Sequence, residues 1–204
     1  MMLSELKFVE ITDINDDLLL PWLRLWETAF PPVERILVSD LLKVLKDKAR
    51  GLSVYDHLIA ALDESGKFVG LIQYEIWPEI SLALFWYLAV DPDIRGRGLG
   101  AKCYAEVKRR AKEAGAKALL FEVELPEESD DPELARRRIE FYRRQGALLL
   151  SGIRYLQFIG THQPVVPMHI MLHPFEPMTP RQAFGLARKV FGDYVTQTGE
   201  LELK

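Results

Sequence analysis

The chain has 204 residues, 49% of them hydrophobic, and a formal net charge of -4. We expect a single domain over 1–204, with a core to about 178 and a C-terminal helix and tail over 179–204. The acidic balance does not favour nucleic acid, and no apolar run reaches membrane-spanning length. One cysteine excludes an intrachain disulfide, and four scattered histidines give no metal-ligand spacing. We therefore expect a cytoplasmic protein without metal, nucleic-acid or membrane partners.

The N-terminal part of the chain predicts a strand, two helices and a hairpin. These elements are Lys7–Ile11, helices Asp17–Ala29 and Ser39–Lys48, and strands Leu58–Leu62 and Lys67–Trp77. Residues of Asp13–Asp17 are expected to cap the first helix, and Ser39 the second. Asp63–Gly66 has the composition of a hairpin turn.

The stretch from Ala83 to Arg110 predicts a buried strand that enters a glycine-rich turn and then a helix. The unbroken apolar run Ala83–Val90 has the length of a strand. The helix carries apolar residues spaced by four at Leu99, Cys103, Val107 and Ala111, which makes Cys103 a core residue rather than a nucleophile. The turn contains Arg95, Gly96, Gly98 and Gly100. Free amides at a helix start bind anions, so this pattern predicts a phosphate site; a turn without ligand is the alternative.

The C-terminal half predicts a second strand and helix, two closing strands and a last helix. The elements are strand Ala118–Leu125, a helix to Gln145 that starts at Asp131-Pro132, strands Ala147–Phe158 and Val165–Leu172, and helix Pro180–Tyr194. Gly115 and Gly146 are placed to end the two preceding helices. Ala118–Leu125 is expected to lie parallel to Ala83–Val90 with the intervening helix as crossover.

Two motifs identify a family resemblance. The turn lacks the Lys-Ser/Thr of a P-loop and the spacing of a dinucleotide fingerprint, but it fits Arg-x-x-Gly-x-Gly at Arg95, Gly98 and Gly100. This resembles the acetyl-CoA loop of the GNAT superfamily of N-acetyltransferases. Phe141-Tyr142, followed by Gly146, resembles that family's second motif. The resemblance implies an α/β fold with a mixed, splayed central sheet flanked by helices.

The same resemblance implies a binding site for acetyl-CoA as cosubstrate. Leu88, Ala89 and Val90 would contact the thioester and pantetheine, with a backbone N–H near Leu88 polarising the carbonyl; a plain core strand is the alternative. The pyrophosphate would lie on Arg95, Gly96, Arg97, Gly98, Leu99, Gly100 and Ala101.

The catalytic residues are less defined by the resemblance. Tyr142 is the candidate general acid for the departing thiolate, with a packing role as the alternative. The carboxylate that some members carry on the central strand is replaced by Leu84, so the base must come from elsewhere. Candidates are Glu122, Glu124 and Glu75, the last beside Gln73. An ion pair of these carboxylates with Arg136–Arg138 is the rival interpretation.

One further segment departs from the family pattern, and another is expected to fall in its acceptor region. Members of the family usually have Asn-x-x-Ala before the Phe-Tyr pair, where this sequence has Ala135 in place of Asn and Arg138 in place of Ala. The loss of Asn removes one usual CoA contact. By topology, Phe30–Arg35 borders the acceptor groove, and Glu34 is a candidate for attracting a cationic amine.

These residues predict transfer of an acetyl group from acetyl-CoA to a primary amine, by direct attack in a ternary complex. The acceptor would be a small molecule or a protein amine, and the enzyme a monomer or homodimer. A non-catalytic acyl-CoA-binding module is the first alternative and a nucleotide-binding regulatory domain the second. Among the histidines, His162 in the loop Gly160–Pro164 is the one of interest.

Overall fold

The structure is a computed structural model that describes residues 5–52, 55–157 and 166–204. His162 and the predicted loop Gly160–Pro164 lie outside these residues. The described elements, in chain order, are β1 (Lys7–Ile11), α1 (Leu19–Ala29), α2 (Val38–Ala49), β2 (Asp56–Leu62), β3 (Phe68–Trp77), β4 (Leu82–Val90), α3 (Leu99–Glu113), β5 (Ala118–Val123), α4 (Pro132–Arg144), β6 (Leu148–Gln157), β7 (Val166–Pro174), α5 (Pro180–Phe191) and β8 (Val195–Leu203).

The described strands form one mixed sheet in the order β1-β2-β3-β4-β5-β7-β6-β8. β4 and β5 are parallel, whereas β1/β2, β2/β3, β5/β7, β6/β7 and β6/β8 are antiparallel. The predicted mixed sheet and the parallel β4–α3–β5 unit are therefore confirmed. The β4–β5 register runs only from Leu82↔Ala118 to Phe85↔Phe121, although β4 continues to Val90.

The chain divides into two compact units, and β4 contributes residues to both. The first unit contains Met1–Ile76 and Trp86–Arg110, and the second contains Trp77–Phe85 and Ala111–Lys204.

In the first unit, α1 and α2 bury their apolar stripes against the strands. Trp22, Trp26, Leu41 and Leu45 are almost fully buried and belong to the same cluster as Leu58 of β2. The indole N–H of Trp22 donates to the carbonyl of Ile59 at 3.2 Å, so its polar atom is satisfied inside the core. Burial of each such large side chain contributes about 1.5–3 kcal/mol to the free energy of unfolding.

The predicted inner face of α3 is confirmed. Leu99, Cys103, Val107 and Ala111 are all buried. Burial raises the pKa of the Cys103 thiol to about 12, so it is a packing residue and not a thiolate.

In the second unit, the signals for the start and end of α4 act as predicted. The Asp131 carboxylate accepts from the amide of Leu134 at 3.0 Å, and Pro132 follows as the first helical residue. Gly146 has φ = +90°, which only glycine adopts readily, and its amide donates to the Arg143 carbonyl.

The predicted caps of α1 and α2 are wrong. The N-cap of α1 is Leu18, and Asp16 instead accepts from the Leu18 amide at 2.9 Å as a turn residue. α2 begins at Val38, so Ser39 lies inside the helix and does not cap it. The residue before α2, Leu37, is its N-cap and makes no side-chain cap bond, so the helix starts one residue earlier than the polar pattern indicates.

The strand β8 is absent from the sequence-based prediction, which ends the chain with a helix. Val195 is the buried residue of β8, and the rest of the strand is exposed or half-buried. Its apolar pattern is therefore weak. The strand is held by main-chain pairing with β6, from Tyr155↔Val195 to Leu150↔Leu203, with an irregularity between Ser151 and Ile153.

Candidate active site

The loop Arg95–Ala101 is fixed to the end of β4 by hydrogen bonds within the first unit. The Asp91 carboxylate accepts from the amide of Asp93 at 3.0 Å and starts the 3-10 turn Pro92–Ile94. The Nε of Arg95 donates to the carbonyl of Val90 at 3.1 Å. These bonds hold the entrance of the loop beside the last residue of the strand.

The backbone of this loop has the geometry of an anion site. Gly96 and Gly98 have φ values of +79° and +76°, in the left-handed region that favours glycine. The bond from the Lys102 amide to the Gly98 carbonyl, at 3.3 Å, opens the α3 ladder, so the amides of Leu99–Ala101 precede it. The loop from Arg95 to Gly98 is exposed. Donor amides, a helix dipole and two arginines fit a diphosphate.

The end of β4 lies very close to β3. A Cβ built on Gly70 would stand 2.9 Å from the carbonyl oxygen of Ala89 and 3.7 Å from the Cα of Val90. Gly70 therefore permits the position of the predicted acyl-binding residues. Gly70 is absent from the residues predicted from the sequence, although a glycine inside a strand pattern is a signal of close backbone approach.

The segment Phe30–Arg35, predicted to border the acceptor groove, is attached to β4 through Tyr87. The Tyr87 hydroxyl donates to the Glu34 carbonyl at 2.6 Å and accepts from the Ile36 amide at 3.4 Å. Its ring contacts Phe30, with centroids 4.7 Å apart. Tyr87 immediately precedes Leu88, so these contacts hold the segment Phe30–Arg35 against the strand predicted to present the acyl group.

Tyr142 lies in an aromatic cluster of the second unit. Its ring is 4.5 Å from that of Phe121 and 6.2 Å from that of Phe85, at the last register pair of β4 with β5. Burial raises the pKa of the Tyr142 hydroxyl to about 12, against a smaller lowering by the charge of Arg138. The phenol is therefore neutral and able to donate near pH 7.

Glu122 follows Phe121 on β5 and is oriented by two side chains of β6. The Tyr155 hydroxyl donates to Oε1 of Glu122, and the Gln157 amide donates to Oε2. Tyr155 and Gln157 are buried, whereas Glu122 is half-buried. The structure thus presents a carboxylate whose two oxygens are both held by neutral donors.

The other two candidate bases have different surroundings. Glu124 accepts from the Ser129 hydroxyl at 3.1 Å, and Arg138 lies 4.0 Å from the same oxygen. Glu75 accepts from the indole N–H of Trp86 at 2.9 Å. Arg138 is thus the member of the basic segment that reaches Glu124.

Arg136 and Arg137 both bind Glu133 within α4, at 2.6 and 3.0 Å. Among the described residues, no group of three or more His, Cys, Asp or Glu side chains is arranged to hold a metal ion. In the same part of the chain, no helix is both long and apolar enough to cross a bilayer.

Comparison with solved structures shows that the chain shares the fold of proteins described as acetyltransferases. A protein described as a GNAT-family acetyltransferase from Bacteroides thetaiotaomicron is 23% identical, with a TM-score of 0.71, and the match covers 91% of this chain and 98% of that one. One with the same family description, from Desulfovibrio desulfuricans, is 20% identical, with a TM-score of 0.59 and coverage of 83% and 99%. The ribosomal-protein-S18-alanine N-acetyltransferase from Escherichia coli is 18% identical, with a TM-score of 0.56 and coverage of 85% and 96%.

No curated protein matches the sequence significantly. The family model for the acetyltransferase (GNAT) family matches residues 19–147, which is more than half of the chain. This match contains both motifs and the loop Arg95–Ala101. The chain therefore belongs to the GNAT family of acetyltransferases.

Proposed function

We propose that this protein transfers an acetyl group from acetyl-CoA to a primary amine by direct attack in a ternary complex. The observation that carries the proposal is the loop Arg95–Ala101, which is exposed from Arg95 to Gly98 and has left-handed glycines before the first turn of α3. Its amides would bind the pyrophosphate. Leu88–Val90 would pair with the pantetheine through backbone groups beyond the short β4–β5 ladder.

Glu122 and Tyr142 are the residues we assign to proton transfer. An ammonium group has no lone pair, so Glu122 would first accept one of its protons. The neutral amine then attacks the thioester carbonyl carbon, the C–N bond forms and the C–S bond breaks. The Tyr142 phenol donates its proton to the sulfur as it gains charge, and CoA leaves as the thiol. The new amide nitrogen then loses its second proton, which returns through solvent to the Tyr142 phenolate. A backbone amide near Leu88 would stabilise the negative charge on the carbonyl oxygen.

We place the acceptor beside the segment Phe30–Arg35. The support is the attachment of this segment to β4 through the Tyr87 hydroxyl. Glu34 in this segment would attract a cationic amine, small molecule or protein. An unchanged Michaelis constant for the acceptor in Glu34→Gln would remove that role.

The test compares two glycines with the same backbone strain. Gly98, in the loop, has φ = +76°, and Gly66, in the β2–β3 turn, has φ = +83°. Alanine at either position costs about 1–2 kcal/mol of conformational strain. Gly98→Ala should weaken acetyl-CoA binding in calorimetry by at least about 10-fold, corresponding to about 1.4 kcal/mol, whereas Gly66→Ala should not change it. Equal affinities of the two variants would contradict the assignment.

A second assay separates transfer from binding alone. Leu84, where some members carry a carboxylate, is buried, which is the observation that favours a non-catalytic acyl-CoA-binding module. Free thiol is followed while acetyl-CoA is incubated with a panel of primary amines. Thiol release that depends on the amine supports transfer. Binding of acetyl-CoA without thiol release in the presence of any of the amines supports the non-catalytic module instead.

A further inference from the structure

The carboxylate of Glu122 is held from two strands away. In the sheet, β7 lies between β5 and β6, and Glu122 is opposite Ile170 of β7. A side chain must span about 9–10 Å to cross one intervening strand. Tyr155 and Gln157 are two residues apart on β6, so both project to the same face and both reach the carboxylate.

The surroundings of the two donors favour a fixed arrangement. Tyr155 is 4% exposed and Gln157 is 6% exposed. Burial and the neighbouring charge of Glu122 raise the pKa of the Tyr155 hydroxyl far above its usual range, so this group remains a donor. Two other polar side chains of this unit are paired: Glu124 accepts from Ser129, and His169 of β7 contacts Glu128.

The side-chain NH₂ group of Gln157 donates to Glu122, and its side-chain oxygen points away from the carboxylate. The Oε1 atom of Gln157 is buried, and among the described residues it has no hydrogen-bond partner. Buried polar atoms normally find partners, so an exception calls for a reason. Donation to the carboxylate supplies one, because it directs the NH₂ group toward Glu122 and the oxygen away from it.

Two C-terminal elements, α5 and β8, contact Tyr155. The Phe191 ring of α5 lies 4.6 Å from the Tyr155 ring, and Tyr155 pairs with Val195 of β8. Arg188 donates to the Val195 carbonyl at 2.9 Å and joins α5 to β8. These elements lie outside residues 19–147 of the family match.

We propose that Tyr155 and Gln157 are positioning residues that orient Glu122 for taking the proton of the acceptor ammonium, and that α5 and β8 hold Tyr155 in place. This inference rests on the proposed function, in which Glu122 is the base. Two donors stabilise the ionised carboxylate and fix the direction of its lone pairs. In the step, one N–H bond of the ammonium breaks, an O–H bond forms on Glu122, and the electron pair stays on nitrogen.

The experiment uses Tyr155→Phe, which keeps the ring against Phe191 and removes the hydroxyl, and Gln157→Leu. The Glu122 carboxyl carbon is followed by ¹³C NMR in the free protein and assigned with Glu122→Gln. We expect its titration midpoint to rise in both variants, because each loses a hydrogen bond to the charged form. We also expect kcat to fall about 10-fold with the Michaelis constant for acetyl-CoA unchanged.

The matched control is Tyr74→Phe, a buried tyrosine of the first unit whose hydroxyl interacts with Arg110. It should change neither the Glu122 titration nor kcat. The positioning role would be overturned if the Glu122 titration midpoint did not move in either variant. It would also be overturned if the wild type transfers acetyl groups and both variants keep its kcat. A wild type that releases no thiol with any amine would instead overturn the proposed function.

Discussion

Replacing Gly70 by alanine tests whether the β3–β4 contact sets the position of the acyl-binding strand. The new Cβ would stand 2.9 Å from the Ala89 carbonyl oxygen, a distance that real Cβ atoms essentially never show. The contacted atom is main chain, so the strand itself must shift. We expect a loss of about 1–3 kcal/mol in the free energy of unfolding, as for overpacked cores. For a chain of this size the melting temperature should fall by about 2–4 °C per kcal/mol.

The functional consequence follows from the same displacement. Ala89 and Val90 belong to the strand end that we assign to pantetheine, and Arg95 is tied to the Val90 carbonyl. A shift there should weaken acetyl-CoA binding about 10-fold, or about 1.4 kcal/mol. Calorimetry with acetyl-CoA measures this, at a temperature where denaturant unfolding shows the variant to be folded.

Gly185→Ala is the matched control for this substitution. Gly185 lies within α5, has an ordinary helical φ, and has no atom within 4 Å of its added Cβ. Alanine there should stabilise the helix by about 0.5–1 kcal/mol and leave acetyl-CoA binding unchanged. A Gly70→Ala protein as stable as wild type and with the same affinity would refute the reasoning.

Three other predictions follow from the described side chains. Tyr142→Phe should lower kcat about 100-fold without changing the Michaelis constant for acetyl-CoA, measured by thiol release; unchanged kcat would exclude the acid role. Burial opposes the charge of Glu10, but bonds from His57 and Lys48 outweigh it and lower its pKa to about 2 from an ordinary 4.5. This stabilises the fold by up to about 3 kcal/mol above pH 4.5, and the contribution disappears as pH falls toward 2, so wild type and Glu10→Gln should converge there in denaturant unfolding. Cys103, fully buried and with a pKa of about 12, should react with a thiol reagent only after unfolding; rapid labelling of the native protein would contradict this.

The parts predicted correctly from the sequence are those with local signals. β1 matches its predicted bounds, and the strand–loop–helix stretch differs by one residue at the start of β4. Apolar period and turn residues determine such elements within a few positions of the chain. The start of α4 is also predicted correctly, because its signals, Asp131 and Pro132, are the N-cap and first residue of the helix itself.

The features missed depend on contacts between distant residues. Ser39 is a residue type that often caps helices, but α2 begins at Val38 with Leu37 as its N-cap. β8 exposes most of its side chains and is held by pairing with β6, which no period in its sequence reveals. The donors to Glu122 come from β6, more than 30 positions along the chain. The place of Glu122 on a strand identifies it as a candidate base, but the sequence does not identify Tyr155 and Gln157 as its hydrogen-bond donors.

The most direct test of the account is whether the amides of Arg95–Ala101 bind the diphosphate of coenzyme A. Backbone ¹⁵N–¹H spectra of the labelled protein are recorded on addition of CoA and, separately, of pantetheine, which lacks the diphosphate. We predict large shifts of the Gly96, Gly98 and Leu99–Ala101 amides with CoA and none of that size with pantetheine. CoA that leaves these amides unchanged, or that shifts them no more than pantetheine does, would contradict it.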